Sequence, residues 1–171
     1  QSTMGGSPCH LSVDASGHQV LVANYGGGSV LSLPIQPDGG LGKHTFLSQH
    51  TGGSVNPARQ KEPHAHSVTL SPDNRFAFVA DLGTDRIHTY LFDSAKGLTA
   101  AKPHLDARLS PGSGPRHFAF SPDGHHAYVI NEMTCTVTGF RYEPATGRLS
   151  EVGSVSTVPA GTDMNGVSTA E

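Results

Sequence analysis

The sequence predicts an all-β fold built from four-stranded antiparallel β-propeller blades, and three observations carry this prediction. One pattern occurs three times, in copies anchored on Val13, Leu70 and Phe120 that lie 57 and 50 residues apart. Periods of that size are typical of stacked repeats and propeller blades. The chain also holds 21 Gly and 12 Pro in 171 residues, which favours many short strands joined by turns. Each copy contains three turn sequences, enough to connect four strands without a helix.

The strands of each copy follow from its hydrophobic pattern. The first run alternates between apolar and polar residues, as a strand with two different faces does, whereas the second is almost continuously apolar, as a strand covered on both faces would be. A glycine- or aspartate-rich turn leads to a third strand, and a fourth, less regular one follows a further turn. Strands are predicted near 8–13, 20–24, 29–33 and 44–50; near 65–70, 76–81, 86–91 and 104–109; and near 115–120, 127–131, 136–140 and 149–157.

These strands divide the chain into three predicted blades at 8–50, 63–109 and 114–157, with the start of a further blade at 166–171. Three blades do not close a ring, because propellers use about four to eight. We therefore expect an internal fragment of a longer propeller. Its truncated blade edges would carry unpaired backbone groups, so we also expect self-association through them.

Composition excludes several kinds of partner. The net charge is −3, only 15% of residues are charged, and no run of Lys or Arg is present, so we expect neither a nucleic acid nor an anionic membrane surface as partner. No apolar stretch approaches the about 18 residues of a membrane span. Cys9 and Cys135 form neither a CxxC pair nor a disulfide framework, which favours a reducing, cytoplasmic location.

Blade geometry predicts where function lies. Strands one and two of a blade are antiparallel, so the start of the first and the end of the second lie at the same end of the blade. The first strand lines the central channel of a propeller. Matched positions in the three copies should therefore cluster around one mouth of that channel. These positions are Cys9, His66 and Arg116 on the first strands, and Tyr25, Leu82 and Glu132 after the second strands.

Several short motifs occur in a specific order along nearly the whole chain. They are Pro-Cys-His at 8–10, Asn-Tyr-Gly-Gly-Gly at 24–28, Pro-His-Ala-His-Ser at 63–67, Asp-Leu-Gly at 81–83, Gly-Pro-Arg-His at 114–117 and Asn-Glu at 131–132. With these motifs the sequence resembles the seven-bladed β-propeller lactonase family, which includes 6-phosphogluconolactonases and is related to 3-carboxymuconate lactonising enzyme. The chain would supply about three of the seven blades.

The resemblance implies a lactone-ring hydrolase that needs no metal or other cofactor and works at the channel mouth. The family's functional histidine falls on His66 or its neighbour His64, its arginine on Arg116 and its glutamate on Glu132. We expect His66, Arg116 and Glu132 to be catalytic, and His64 and Arg116 to bind the substrate. A further arginine of the family, from a later blade, has no counterpart here.

Lactone hydrolysis indicates what these side chains would do. Water must attack a ring carbonyl, which requires a base, stabilisation of the oxyanion and an anchor for an anionic substrate group. The planar guanidinium of Arg116 suits the last two roles, and His66 accepts a proton near neutral pH. Glu132 would orient water, act as a base if burial raises its pKa, or orient Arg116. The alternative for Arg116 and Glu132 is an ion pair between strands with no catalytic role.

Other chemistries fit the sequence less well. His64 and His66 lie on the same face of a strand and thus form a geometrically feasible metal pair, but no Cys or carboxylate stands at ligand spacing, so we expect no metal site. Gly26–Gly28 lacks the following Lys and helix of a phosphate loop. Cys9 has no activating base beside it, which argues against nucleophilic catalysis.

The leading interpretation is therefore a 6-phosphogluconolactonase-like enzyme that opens a sugar-acid lactone, with a small anionic lactone as its partner. One alternative is a cycloisomerase that lactonises carboxymuconates, since it too needs an arginine that binds anions. A second alternative is a non-catalytic propeller used as a binding scaffold, because a fold does not fix a function.

Overall fold

The computed structural model describes residues 1–170 and contains three antiparallel sheets, each built from consecutive strands. Their order in space follows their order in sequence, as in propeller blades. The prediction of an all-β fold made of blades is therefore confirmed. Within the described part of the chain, no helix is long and apolar enough to cross a membrane. Of the predicted further blade at 166–171, Glu171 lies outside the described residues.

Blade 1 follows the predicted pattern closely. Its second strand is buried along its whole length and its third along nearly all of it, as expected for strands covered on both faces. The innermost strand keeps exposed side chains, among them Leu11 and Val13. The strands are β1 (Pro8–Val13), β2 (Gln19–Asn24), β3 (Ser29–Pro34) and β4 (Phe46–Gln49).

Blade 2 departs from the prediction in its outer strand. The outer strand was expected at 104–109, but the segment from Gly97 already pairs with the third strand, and only a two-residue strand forms near the expected place. A short 3₁₀ turn at Pro103–Leu105 separates the two pieces. The strands are β5 (Ala65–Leu70), β6 (Phe76–Asp81), β7 (Arg86–Asp93), β8 (Gly97–Ala101) and β9 (Ala107–Arg108).

Blade 3 has the four predicted strands, with a long outer strand that pairs along the whole third strand. Its second strand differs from the prediction, because it is covered on one face only. The face of blade 3 that is turned away from blade 2 leaves Tyr128, Val152 and Val155 exposed. The strands are β10 (Pro115–Phe120), β11 (His126–Asn131), β12 (Thr136–Glu143) and β13 (Arg148–Ser156).

The turn after each inner strand is fixed by a short polar side chain. In blade 1, the Asp14 carboxylate accepts hydrogen bonds from the backbone N–H groups of His18 and Gln19. In blades 2 and 3, the hydroxyls of Ser71 and Ser121 accept them from Phe76 and His126. These bonds satisfy backbone donors that the turn leaves without partners, which explains why the repeated turn sequences hold each hairpin in register.

The blades pack side by side through their inner strands. Ser12 Oγ donates to the carbonyl of Val68 at 2.6 Å, which joins blade 1 to blade 2. Ser67 Oγ donates to the carbonyl of Arg116 at 2.6 Å and joins blade 2 to blade 3. Behind these contacts, apolar clusters fill the two junctions; the ring of Phe78 stacks on that of Phe118 at 5.5 Å between blades 2 and 3. The three inner strands therefore lie next to one another.

Every inner strand carries an irregularity near its start. The pairing register with the second strand shifts between Pro8 and His10 in blade 1, between Ala65 and Ser67 in blade 2, and from Pro115 to Phe118 in blade 3. Such bulges re-aim side chains and often lie next to functional sites. Cys9, His66 and Arg116, the matched positions, fall within these three irregular segments.

Candidate functional site at the channel mouth

The structure brings together five of the six residues that were expected at one mouth of the channel. Cys9 approaches the backbone of His66, whose ring contacts that of Tyr25, and Arg116 is paired with Glu132. Leu82, the sixth, is fully buried and lies beside Gly114, where it supports the turn rather than the mouth.

The centre of the site is the carboxylate of Glu132, which is held between two arginines. Arg116 Nη1 donates to Glu132 Oε2 at 2.9 Å, as the sequence predicted for this pair. Arg59 Nη2 donates to the other oxygen, Oε1, at 2.8 Å. Arg116 is fixed further by its Nε, which donates to the carbonyl of Ala170 at 3.1 Å. Each carboxylate oxygen thus has its own guanidinium partner.

Glu132 is ionised, and this rules out one of its predicted roles. Burial alone would raise the pKa of its carboxyl, but the hydrogen bonds from Arg116 and Arg59 and their positive charges outweigh burial and hold the pKa below its usual value. One of the three roles considered for Glu132, a base with a raised pKa, therefore does not fit. Its contact with Arg116 matches a second role, which is to orient that arginine, and the third role, orienting water, stays a prediction.

His66 is a neutral imidazole at neutral pH. Burial lowers its pKa to about 4, with further lowering from the positive charge of Arg116 and from His117. The ring meets that of Tyr25 edge-on at 5.6 Å and that of His117 at 5.2 Å. Its Nδ1 is buried and has no hydrogen-bond partner among residues 1–170. The ring therefore holds an unprotonated nitrogen beside a positively charged group.

His64 lies on the other side of Tyr25. The two rings stack with centroids 4.6 Å apart and planes 15° apart. The backbone fixes this arrangement: the N–H of His64 donates to Asp81 Oδ1 at 2.9 Å, and Nδ1 of His64 lies 3.1 Å from the carbonyl oxygen of Tyr25. A flat aromatic surface thus borders Arg59, which donates to the hydroxyl of Tyr25.

Arg59 is the functional candidate that sequence reasoning missed. It lies in the connection between blades 1 and 2, where the repeat offers no matching position. The neighbouring Gln60 anchors this connection, because its buried Nε2 donates to the carbonyl of Leu82 and to Asp85 Oδ1, both at 2.8 Å. With Gln60 turned inward, Arg59 points outward and also donates to Tyr25 Oη at 3.3 Å. The sequence signal that could have indicated Arg59 was its position beside Gln60 in the connection between two blades.

Cys9 shows no sign of activation. Its thiol faces the carbonyl oxygens of Ala65 and His66, at 3.6 and 3.2 Å. Partial burial raises its pKa, so it is a thiol at neutral pH rather than the thiolate that a nucleophile requires. This agrees with the expectation that Cys9 is not a nucleophile.

The charges of the site favour an anion. Two guanidinium groups face one carboxylate, and His66 adds no negative charge, so the mouth keeps a positive excess. Arginine binds carboxylate and phosphate groups through paired N–H donors. The arrangement therefore suits a small substrate with one anionic group and one carbonyl oxygen to polarise.

Metal-binding potential lies elsewhere than at His64 and His66. Among the described residues, the group able to offer three ligand atoms to one ion consists of His50, Asp81 and His88. These side chains sit at the junction of blades 1 and 2. The absence of a metal at His64 and His66 stays a prediction.

Comparison with known proteins identifies the family. The match to the family described as seven-bladed β-propeller lactonase extends over residues 1–171. The chain is 38% identical to 6-phosphogluconolactonase of Bacillus subtilis over 155 residues, 91% of this chain and 43% of the relative. It is 32% identical to 6-phosphogluconolactonase of Formosa agariphila over 141 residues, 82% of this chain and 40% of that protein.

A solved structure shows the same arrangement of blades. The periplasmic gluconolactonase of Pseudomonas aeruginosa superposes with a TM-score of 0.86 at 36% identity, covering 95% of this chain and 46% of that one. The chain thus spans under half the length of the relatives it matches. The repeated blades, the motifs at the mouth and the match along the whole chain agree: the chain belongs to the seven-bladed β-propeller lactonase family.

Proposed function

We propose that this chain forms part of the catalytic mouth of a lactone hydrolase that opens a sugar-acid lactone, with 6-phosphogluconolactone as the leading substrate. The observation that carries the proposal is the carboxylate of Glu132 held between Arg116 and Arg59 beside a neutral His66. Relatives named 6-phosphogluconolactonase and gluconolactonase support the same class of reaction.

The residues divide the work as follows. Arg116, fixed by Glu132 and the carbonyl of Ala170, polarises the lactone carbonyl and stabilises the oxyanion of the tetrahedral intermediate. Arg59 binds the anionic tail of the substrate. Tyr25 and His64 provide the flat surface against which the sugar ring lies. Because both guanidinia are held before the substrate arrives, little reorganisation is required during the reaction.

His66 acts as the base. It takes a proton from the attacking water while the water oxygen bonds to the carbonyl carbon; when the intermediate collapses, the ring C–O bond breaks and the proton passes to the leaving oxygen. The products are an open-chain carboxylic acid, which then loses its proton to solvent, and a hydroxyl. A bound anion offsets the charge of Arg116, which raises the pKa of His66 from about 4 toward the working pH.

The geometry bears on the alternatives. The ion pair of Arg116 with Glu132 is common to a catalytic site and a non-catalytic scaffold. What favours a lactonase is the second arginine, Arg59, on the same carboxylate, together with the relatives named as lactonases. A carboxymuconate cycloisomerase would use the same anion-binding arginines, and turnover must distinguish it from a hydrolase. The cytoplasmic location and the absence of a nucleic-acid partner stay predictions; the Pseudomonas neighbour is described as periplasmic.

The test is an assay of a protein that carries these three blades within a complete seven-bladed ring. We expect hydrolysis of 6-phosphogluconolactone, and a loss of about a hundredfold or more in kcat/KM for Arg116→Ala and for Glu132→Gln. Glu151→Gln, an exposed carboxylate on blade 3, is the matched control and should leave turnover unchanged. Near-native turnover in both site variants, or turnover of carboxymuconate alone, would contradict the proposal.

A further inference from the structure

A second cluster of chemically active side chains lies away from the channel mouth, where blade 1 meets blade 2. His50 follows β4, Asp81 ends β6 and His88 lies in β7. One ligand atom from each of the three lies within 4.8 Å of the other two. His50 and Asp81 are buried, and the side chain of His88 is 15% exposed. Nothing in the proposed lactonase reaction uses this cluster.

The three ligand atoms converge on one point. His50 Nδ1 lies 2.5 Å from Asp81 Oδ2, and His88 Nε2 lies 4.0 Å from the same oxygen. A tetrahedral centre with bonds of about 2.0–2.1 Å holds its ligand atoms about 3.4 Å apart. Binding an ion would therefore move His50 Nδ1 and Asp81 Oδ2 apart and bring His88 Nε2 closer to Asp81 Oδ2. Thr84 Oγ1, 3.3 Å from His88 Nε2, is placed to supply or orient a fourth ligand.

Each imidazole is held through its other nitrogen. His88 Nδ1 donates to Asp106 Oδ2 at 2.8 Å, which orients the ring so that its other nitrogen, Nε2, faces the cluster. His50 Nε2 lies 2.8 Å from the oxygen of Tyr90, whose hydroxyl donates onward to Ser48 Oγ at 3.1 Å. The hydroxyl of Tyr90 therefore fixes the orientation of the ring whose other nitrogen, Nδ1, faces Asp81.

The three converging atoms are of types that ligate metal ions, namely two imidazole nitrogens and one carboxylate oxygen. They face one another in a largely buried space, where a divalent ion would replace the proton in the contact between His50 and Asp81. Partners of this kind, a carboxylate and a hydroxyl behind the ligating rings, are the ones that orient histidines around metal ions in proteins. Two nitrogen ligands and one oxygen ligand suit Zn²⁺ and its first-row neighbours rather than Mg²⁺ or Ca²⁺.

We propose that His50, Asp81 and His88 bind one divalent transition-metal ion, with Zn²⁺ as the leading candidate, at the junction of blades 1 and 2. The ion would connect the two blades through side chains that are distant in sequence. The site lies outside the proposed reaction, which uses protein groups alone. It nevertheless adjoins the mouth, because Asp81 holds the backbone N–H of His64 through its other oxygen, Oδ1.

The test is calorimetric titration with Zn²⁺, and with Mg²⁺ as a comparison, of a purified, metal-stripped protein that carries these three blades within a complete seven-bladed ring. We expect one Zn²⁺ per chain, a higher melting temperature with Zn²⁺ because binding favours the folded state, and no response to Mg²⁺. His88→Gln should abolish the one-to-one binding, and Asp106→Asn should weaken it about 10–100-fold. His125→Gln removes an exposed imidazole outside the cluster and should bind as the wild type does.

The result that overturns the proposal is the absence of stoichiometric Zn²⁺ binding, or equal Zn²⁺ affinity in the wild type and His88→Gln. A hydrogen bond between His50 and Asp81 would then account for their contact. If His88→Gln fails to fold, the visible absorption of Co²⁺ added to the wild type tests the site instead. A bound Co²⁺ with nitrogen and oxygen ligands gives visible absorption bands, and the spectrum of free aqueous Co²⁺ alone would refute the site.

Discussion

Replacing Glu132 by Gln tests whether its carboxylate holds the two arginines in place. The change keeps the size of the side chain but turns one acceptor oxygen into an NH₂ donor, which must face Arg116 or Arg59. The relevant side chains are 10% exposed for Glu132, 25% for Arg116 and 43% for Arg59. The Arg59 pair is close to a surface ion pair, worth about 0–1 kcal/mol. The more buried Arg116 pair is worth about 1.5–3 kcal/mol.

We therefore expect Glu132→Gln to lower the free energy of unfolding by about 2 kcal/mol, which for a chain of this length lowers the melting temperature by about 4–8 °C. The loss of stability caused by Glu132→Gln should become smaller as the pH falls. Because the folded-state pKa of Glu132 is depressed, its stabilisation is complete above the pKa of the unfolded chain and is lost as pH falls through the folded-state value.

Differential scanning calorimetry of the wild type and Glu132→Gln at pH 7 and at pH 3.5 measures both effects. The difference between the two proteins should be large at pH 7 and should shrink at the lower pH. Glu151→Gln, at an exposed position, controls for loss of one negative charge and should match the wild type at pH 7. Equal melting temperatures of wild type and Glu132→Gln at pH 7, or a difference that does not change with pH, would refute the reasoning.

Three further outcomes follow from the structure. In a complete seven-bladed ring, Arg59→Ala should raise KM for a phosphorylated lactone about 10–100-fold with a smaller change in kcat, whereas the exposed Arg75→Ala should change neither; steady-state kinetics measures both. Gly83→Ala should cost about 1–3 kcal/mol in urea unfolding, because its Cβ would collide with the carbonyl oxygen of Glu62, and unchanged stability would show that the loop yields. The isolated chain should self-associate through the exposed apolar faces of blades 1 and 3 that are turned away from blade 2, and light scattering that finds a monomer at about 100 µM would contradict this.

Much of the fold was predictable because each blade repeats one local pattern. Alternating inner strands, apolar second strands and their turn residues are all set by neighbours in sequence. The outer strand of blade 2 was not, because Gly97 and Leu98 read as a turn with a trailing hydrophobic residue. Pairing with β7 and burial of Leu98 in the junction with blade 1 make this segment a strand, and that contact is tertiary.

The candidate site divides in the same way. Arg116 and Glu132 could be placed together because they occupy matched positions on adjacent strands of one blade. Arg59 could not, since its position depends on the anchoring of Gln60 by Asp85 and on no repeat. The pKa of Glu132 was not readable from sequence either, because its direction depends on two arginines that outweigh burial.

The bulges at the starts of β1, β5 and β10 have a consequence for how such proteins change over time. Each blade offers one side chain to the mouth from the same irregular position, currently Cys9, His66 or Arg116. The hydrogen bonds from Ser12 to Val68 and from Ser67 to Arg116, which join the blades, end on backbone carbonyls and do not depend on which side chain occupies a bulge. A substitution at one bulge therefore changes the chemistry of the mouth while these bonds between blades remain.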